Sequence, residues 1–213
     1  MTELNPPSNE NNLSQTERAY RALEQMIVTL KLRPGETVTE GALIERLGLG
    51  RTPVREAVQR LAWEGLLDIR PRSGIQIAAL DPADYPKVLA ARKGVEMLLS
   101  WGAASYGYPE HDIAFKKIEQ QMLAAAKSGD VDGFLNADKA FDVVLGQAAA
   151  NPYAARLAAP LQTHSRRFWF RMQRADSLRL AVEKHVALIE AIIARNENEA
   201  EQAAEELINH LGR

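Results

Sequence analysis

The sequence predicts a mainly α-helical protein, in which an N-terminal winged helix-turn-helix is followed by an all-helical antiparallel bundle. Three observations predict this fold class. Three short segments with apolar residues at helical spacing come first, and two extended runs around a Pro/Gly turn follow them. After Asp81 the apolar spacing is helical throughout. Because hydrophobic residues make up 46% of the 213 residues and charged residues 25%, the chain resembles an ordinary globular protein with a sizeable core.

The composition divides the chain into three parts and excludes several classes of protein. Residues 1–13 are rich in Asn and Pro and predict a flexible tail; 14–80 would form the winged helix-turn-helix domain, and 81–213 an all-helical domain. A net charge of −2 excludes a basic coat along the whole chain, and the lack of cysteine excludes disulfides and thiolate metal sites. With neither a secretory signal nor a membrane-spanning apolar run, we expect a cytoplasmic protein without membrane contact.

The first two helices are marked by their end signals. Ser14, with Glu17 three residues later, predicts the N-terminal cap of the first helix, and the turn 33–35 (Arg-Pro-Gly) should end it. A second short helix should begin near Thr39 and stop at Gly48.

The third helix and a hairpin complete the predicted DNA-binding domain. Thr52 is placed to cap the third helix and Pro53 to occupy its first position, while Gly65 should close it. Two extended runs, 66–70 and 75–79, then flank a turn and predict a β-hairpin.

The rest of the chain predicts a helical bundle. Breaks fall at Gly, Pro and Asn residues, and the segments between them are long enough for about four to seven helical turns. The predicted helices span 83–107, 110–128, 131–150, 152–174, 177–195 and 198–212.

Basic residues lie where a winged helix would meet double-stranded DNA. Arg51 and Arg55 stand one turn apart at the start of the third helix, and Arg70 and Arg72 flank the hairpin turn. An arginine in the first turn of a recognition helix can donate two hydrogen bonds to guanine, which is worth about 1–3 kcal/mol of discrimination. The Thr52 hydroxyl and the free amides of the helix start would suit a phosphate. The alternative is that these arginines form a solvated face on a module for protein contacts.

The same residues resemble the DNA-binding domain of the GntR family of bacterial transcription regulators. The match covers about 50 residues in the family's order. It comprises Leu32-Arg33-Pro34-Gly35, the run 43–48 (LIERLG), the run 51–58 (RTPVREAV), Leu61, the run 64–67 (EGLL) and Pro71-Arg72-Ser73-Gly74.

This resemblance implies operator contacts from Arg51, Thr52 and Arg55, and a wing contact near Gly74 with the minor groove or backbone. Gly50 stands where the family usually has Ser or Thr, and Gly41 where many members have a longer polar residue. Either change could remove a phosphate contact.

The helical part resembles the FCD-type effector domain of the FadR subfamily. Arg92 with Glu96, the run 138–141 followed by Asn151-Pro152, and His185 followed by Ala191-Ile192 carry the resemblance. It implies a central pocket in which many members hold a divalent metal with one Asp and three His, and in which a small carboxylate effector binds.

Four residues form the candidate metal site. Asp138 and Asp142 are four apart and so share one helix face, His185 lies on an apolar stripe, and His210 lies on the last helix. Asp142 stands where the family pattern has a His, and His210 comes three residues later than usual. A divalent metal, Mg²⁺ or Mn²⁺ rather than Zn²⁺, is one interpretation. The other is a lapsed site, with both aspartates paired to Arg92 or another arginine and His185 hydrogen-bonded in the core.

The segment 164–174 holds the densest group of cations and aromatic rings. Arg167 or Arg171, together with Arg92, could bind a carboxylate effector in a pocket of which Trp169 forms one wall. A cationic stripe that faces solvent or a dimer partner is the alternative.

The function predicted is that of a homodimeric DNA-binding regulator, most often a repressor in this family, whose operator binding responds to the effector. A constitutive dimeric regulator with a lapsed effector and metal site is the main alternative. A metal-dependent enzyme using Asp138, Asp142 and His185 is a remote one, because the sequence shows no nucleophile or phosphate-binding motif.

Overall fold

The computed structural model describes residues 13–174 and 176–212. The chain divides into two compact units, the first ending at Leu80 and the second beginning at Asp81. The predicted tail at 1–13 lies almost wholly outside the described residues. The predicted fold class is confirmed: a helix-turn-helix with a small sheet precedes a helical bundle.

The first unit contains three helices and a three-stranded sheet. Its elements are α1 (Gln15–Val28), β1 (Thr37–Val38), α2 (Glu40–Leu47), α3 (Arg51–Trp63), β2 (Leu67–Arg70) and β3 (Gly74–Ile77). The Ser14 hydroxyl caps α1 by accepting from the amide of Glu17, and Gly48 ends α2 with a φ of 62°. Apolar residues of α1, α2, α3 and the sheet form one core, with Leu23, Ile27 and Leu61 at its centre.

The wing depends on Gly74. The strands are antiparallel in the order β1-β3-β2, so β3 lies between its two neighbours. Gly74 has a φ of 96°, and a Cβ atom there would lie 2.8 Å from the carbonyl oxygen of Val38 in β1. Only glycine fits this close approach of two strands. Gly74 therefore has a structural role in addition to the DNA contact predicted for it.

Three details of the first unit differ from the sequence-based expectation. Helix α1 ends at Val28, before the Pro-Gly turn, because Leu30 takes a φ of 56° that a helix does not allow. The two-residue strand β1 was not predicted, and it forms because its backbone pairs with β3. Gly50, not Thr52, is the N-cap of α3, so Thr52 lies within the first turn.

The second unit is a bundle of helices joined by short turns. After a 3-10 turn at Pro82–Asp84, its helices are α4 (Tyr85–Tyr106), α5 (Pro109–Ser128), α6 (Val131–Ala148), α7 (Pro152–Met172), α8 (Ser177–Ile193) and α9 (Glu197–Leu211). The side chains of Asp130, Asn151 and Asn196 cap α6, α7 and α9. Helix α4 packs against α6, α7, α8 and α9, which makes it the central element of the unit.

In the described part of the chain, no helix is long and apolar enough to cross a membrane.

Candidate nucleic-acid interface and buried effector site

The exposed face of α3 carries the predicted DNA-binding residues. Arg51, Thr52 and Arg55 are all exposed, while Val54, Ala57, Val58 and Leu61 on the opposite face are buried in the core. No side chain caps the N-terminus of α3. The first-turn amides of Arg51 and Thr52 thus have no side-chain acceptor in the cap, and such amides suit a phosphate oxygen.

A carboxylate that the sequence analysis did not single out holds the two arginines. The side chain of Arg55 donates two hydrogen bonds to Glu40, from Nε to Oε2 at 3.1 Å and from Nη2 to Oε1 at 3.0 Å. Nε of Arg51 lies 3.8 Å from Oε1 of the same carboxylate. Glu40 is the first residue of α2. Because this contact joins two helices, helical periodicity could not reveal it.

The wing presents its two arginines at the surface. Arg70 pairs with Gly74 in the hairpin register, and the amide of Ser73 donates to the carbonyl of Arg70 at 3.1 Å. Arg70 and Arg72 are exposed, and Arg72 adopts a φ of 64° in the tight turn. These positions leave both guanidinium groups accessible to a duplex backbone.

Arg60 belongs to a network of side chains that joins two helices of the first unit. It donates to Glu17 and Glu64, each at 3.1 Å, and its guanidinium carbon lies 3.5 Å from the centre of the Tyr20 ring. The Tyr20 hydroxyl donates to Glu64 at 2.8 Å. Arg60 therefore ties α3 to α1 and is separate from the predicted DNA-binding arginines at the start of α3.

A small cavity lies inside the bundle of the second unit. Its open volume is about 20 Å³, which is room for about one water molecule. Helices α4, α6, α7, α8 and α9 all contribute to its wall. The lining residues are Arg92, Phe134, Leu135, Asp138, Ser165, Arg166, Trp169, His185 and Leu211.

Of the predicted effector residues, Arg92 and Trp169 line this cavity. Nε of Arg92 donates to Glu96 at 2.8 Å and Nη1 to Ser165 at 3.1 Å, whereas its buried Nη2 has no hydrogen-bond partner. Arg171 is exposed, and Arg167 is fully buried but does not belong to the cavity wall. Burial lowers the pKa of Arg167 to about 10, so it stays charged at neutral pH. The phase of α7 turns Arg166, rather than these two, toward the cavity.

Three of the predicted metal-site residues meet around Arg166. Nη1 of Arg166 donates to Oδ2 of Asp138 at 3.0 Å and makes a second, short contact with Oδ2 of Asp142. Oδ1 of Asp138 lies 2.8 Å from Nε2 of His185. The fourth residue, His210, is half-buried on α9 and outside the cavity wall, where Leu211 is the α9 contributor.

The surroundings set the protonation of these groups. Burial raises the pKa of Asp142 to about 7, with the neighbouring charge of Asp138 adding to the effect against the opposing charge of Arg166. Burial acts in the same direction on Asp138, but the contact with His185 and the charge of Arg166 outweigh it and hold its pKa below the usual value. Burial would lower the pKa of His185, yet the contact with Asp138 raises it.

This arrangement does not fit a divalent metal. Nδ1 of His185 lies 2.8 Å from the carbonyl oxygen of Ala181, and Nε2 faces a carboxylate oxygen. The carboxylates that would ligate an ion beside Nε2 are already contacted by the buried guanidinium of Arg166. Within 13–174 and 176–212, no set of three or more His, Asp or Glu side chains is arranged to hold an ion.

Family models match both units. The model described as bacterial regulatory proteins, gntR family, matches residues 15–77, and the FCD domain model matches residues 87–210. The chain belongs to the GntR family and carries an FCD domain. Members of this family are transcription regulators rather than enzymes, which removes the metal-dependent enzyme as an explanation of the helical unit.

Curated relatives agree with this membership. An HTH-type transcriptional regulator from the TAR-I ttuE-ttuC' intergenic region of Agrobacterium vitis is 33% identical over 135 residues, which span 62% of this chain and 79% of that protein. The HTH-type transcriptional repressor RspR of Escherichia coli K12 is 29% identical over 148 residues, which span 70% of this chain and 63% of the repressor.

Solved structures share the fold of this GntR-family chain. The Escherichia coli protein McbR/YncC matches with a TM-score of 0.80 at 19% identity, covering 92% of this chain and 94% of that one. A GntR-type transcriptional regulator from Rhodococcus sp. RHA1 matches with a TM-score of 0.70 at 20% identity, covering 92% and 95%. At these identities the likeness concerns the fold alone.

A variant of Glu40 tests whether this carboxylate restrains Arg51 and Arg55. Replacement Glu40→Gln removes the negative charge beside Arg51 and Arg55, so both become freer to meet phosphates. We expect binding to non-operator duplex DNA to tighten about two- to fivefold, the equivalent of one exposed ion pair. Fluorescence anisotropy at several salt concentrations measures it.

Glu45→Gln is the matched control for this test, because it removes the same charge from an exposed position on α2. If the two variants bind DNA equally well, the contact with Glu40 has no effect on the arginines.

Proposed function

We propose that this GntR-family regulator is a homodimeric repressor that binds a pseudo-palindromic operator and releases it when a small carboxylate effector enters the helical unit. The observation that carries the DNA-binding part is the exposed face of α3, where Arg51, Thr52 and Arg55 stand clear of the core. A helix placed in this way can enter the major groove with its N-terminal residues at the base edges.

Two copies related by a two-fold axis match two operator half-sites. Exposed apolar residues on the helical unit support a second copy as partner. Tyr153 and Leu157, one turn apart on α7, are 74% and 65% exposed, and helix α4 exposes Ala91, Gly94 and Leu98 at helical spacing. Large exposed apolar side chains such as Tyr153 and Leu157 favour burial against another protein surface. A second copy of this chain is the occupant that a two-fold operator requires.

The effector part rests on the cavity around Arg92 and Trp169. Nη2 of Arg92 is a buried donor without a hydrogen-bond partner, and a carboxylate oxygen would supply one. Since the cavity has room for about one water molecule, the surrounding helices must move apart when an effector enters. The effector would then bind the expanded conformation of the helical unit more tightly than the closed one. Regulation requires such a difference in affinity between two conformations.

Operator recognition is tested first. Selection from a random duplex library should enrich a pseudo-palindromic sequence. On that sequence, Arg51→Ala and Arg55→Ala should each weaken binding at least about tenfold, since each removes about 1–3 kcal/mol per half-site. Electrophoretic mobility shifts measure the loss. The control is Arg21→Ala, which removes an exposed arginine from α1. Equal binding by all three variants and the wild type would show that α3 does not read the operator.

The dimer is tested by light scattering coupled to size exclusion. The wild type should have twice the chain mass of 23.6 kDa. Leu157→Glu should give the monomer mass, because a charge cannot be buried in the apolar surface. Ile113→Glu, at a position that is 72% exposed on α5, should remain a dimer. A monomeric wild type would refute the dimer, and a monomer from Ile113→Glu instead would place the interface elsewhere.

The effector is sought among small carboxylates, each paired with its primary amide as an uncharged control. At saturation, a true effector should raise the unfolding temperature by about 5 °C, since binding to the native state alone stabilises it. It should also weaken operator binding, and its amide should do neither. If no carboxylate has these effects, the protein is a constitutive DNA-binding regulator, the alternative that the small size of the cavity favours.

A further inference from the structure

The buried polar cluster of the helical unit brings basic and acidic side chains together. Arg92, Arg166 and His185 are its basic members, and Glu96, Asp138 and Asp142 are its acidic ones. Each of the six residues is less than 9% exposed. Burying ionisable side chains is tolerable only when they are paired, because a buried charge without a partner is strongly destabilising.

Arg166 is the only cation of this set that contacts both aspartates within 3.0 Å. It contacts one oxygen of Asp138 and one of Asp142, and its Nη2 donates to the hydroxyl of Thr163 at 3.2 Å. Arg92 is directed mainly to Glu96 and lies farther from Asp142, with 3.8 Å between Nη2 and Oδ1. Arg166 therefore links two successive turns of α6 to α7.

A divalent ion would need the same carboxylate oxygens. Metal ligands of this type lie about 2.0–2.2 Å from the ion. Oδ2 of each aspartate is already in contact with Arg166, and Oδ1 of Asp138 lies beside His185, while Oδ1 of Asp142 has no hydrogen-bond partner. To bind an ion through these oxygens, the protein would have to withdraw the buried guanidinium of Arg166.

From these contacts we propose that the Arg166 guanidinium is a permanent internal cation, which takes the place of a divalent metal between Asp138 and Asp142. The helical unit then folds without metal, and an effector must be bound by protein groups alone. This inference deepens the proposed function, because it concerns the same cavity. It is tested without DNA or effector, so that its failure can be distinguished from failure of effector regulation.

The first experiment measures metal in the full-length wild-type protein. The protein is produced in medium supplemented with Mn²⁺ and Zn²⁺, and its metal content is determined by elemental analysis. We expect far less than one ion per chain. The unfolding temperature should be the same with EDTA and with added Mn²⁺, Zn²⁺ or Ni²⁺. A stoichiometric ion, or a protein that EDTA destabilises, would overturn the proposal.

The second experiment removes the internal cation. Arg166→Met keeps much of the side-chain volume but leaves two buried carboxylates with too little positive charge. Its unfolding temperature should fall by about 10 °C, as breaking a buried pair predicts. Arg171→Met, on the exposed part of the same helix, should leave the unfolding temperature unchanged. A variant Arg166→Met as stable as the wild type would refute the proposal.

A double variant keeps the test decisive if Arg166→Met does not fold. Combining it with Asp142→Asn removes one negative charge together with the positive one. The double variant should recover most of the lost unfolding temperature, because the remaining charges are again balanced. If Arg166→Met is destabilised and the additional Asp142→Asn restores nothing, Arg166 supports the fold by packing and not as a cation.

Discussion

The helical unit depends on the neutralisation of three carboxylates inside its core. Glu96 lies on α4, and Asp138 and Asp142 lie on α6. All three are shielded from water. In the protein interior, an uncompensated charge costs several kcal/mol. Their partners come from three helices: Arg92 on α4, Arg166 on α7 and His185 on α8. The contacts need all four helices in one relative position, so the electrostatic requirement is also a constraint on how the helices pack.

The DNA-binding unit uses a similar pair of groups in a different environment. Glu40 holds Arg55 through two hydrogen bonds, but the Arg55 side chain is 56% exposed. In water such a pair is worth less than about 1 kcal/mol. A phosphate or a guanine edge can therefore replace Glu40 at little cost, whereas replacing the partners of Arg166 would cost far more. The difference in solvent exposure makes the Glu40–Arg55 contact exchangeable and the contacts of Arg166 structural.

This difference bears on how an effector could act. The arginines that line the cavity are engaged with internal carboxylates, and Nη2 of Arg92 is a buried donor without a hydrogen-bond partner. A ligand that enters must form contacts strong enough to offset any internal pairs it separates. Because those pairs join α4, α6, α7 and α8, their rearrangement would change helix packing over much of the unit. Effector binding in the cavity would in this way change the packing of the whole helical unit.

Much of the fold follows from local sequence signals. Ser14 and Gly48 end their helices through contacts within a few residues, and the apolar spacing of α3 places Arg51 and Arg55 on its exposed face. The resemblance to GntR regulators rests on the same local run of residues. The order of elements and the candidate DNA-binding face were therefore accessible from the sequence alone.

The tertiary structure decided which charged groups meet. The sequence placed Arg166 among several neighbouring cations, and only the rotation of α7 within the bundle turned it, rather than Arg167 or Arg171, toward Asp138 and Asp142. Contact between Glu40 and Arg55 likewise depends on the angle between α2 and α3, and strand β1 on pairing with β3. Local periodicity defines the face of one helix, but the partner of a side chain on another element depends on how the elements pack.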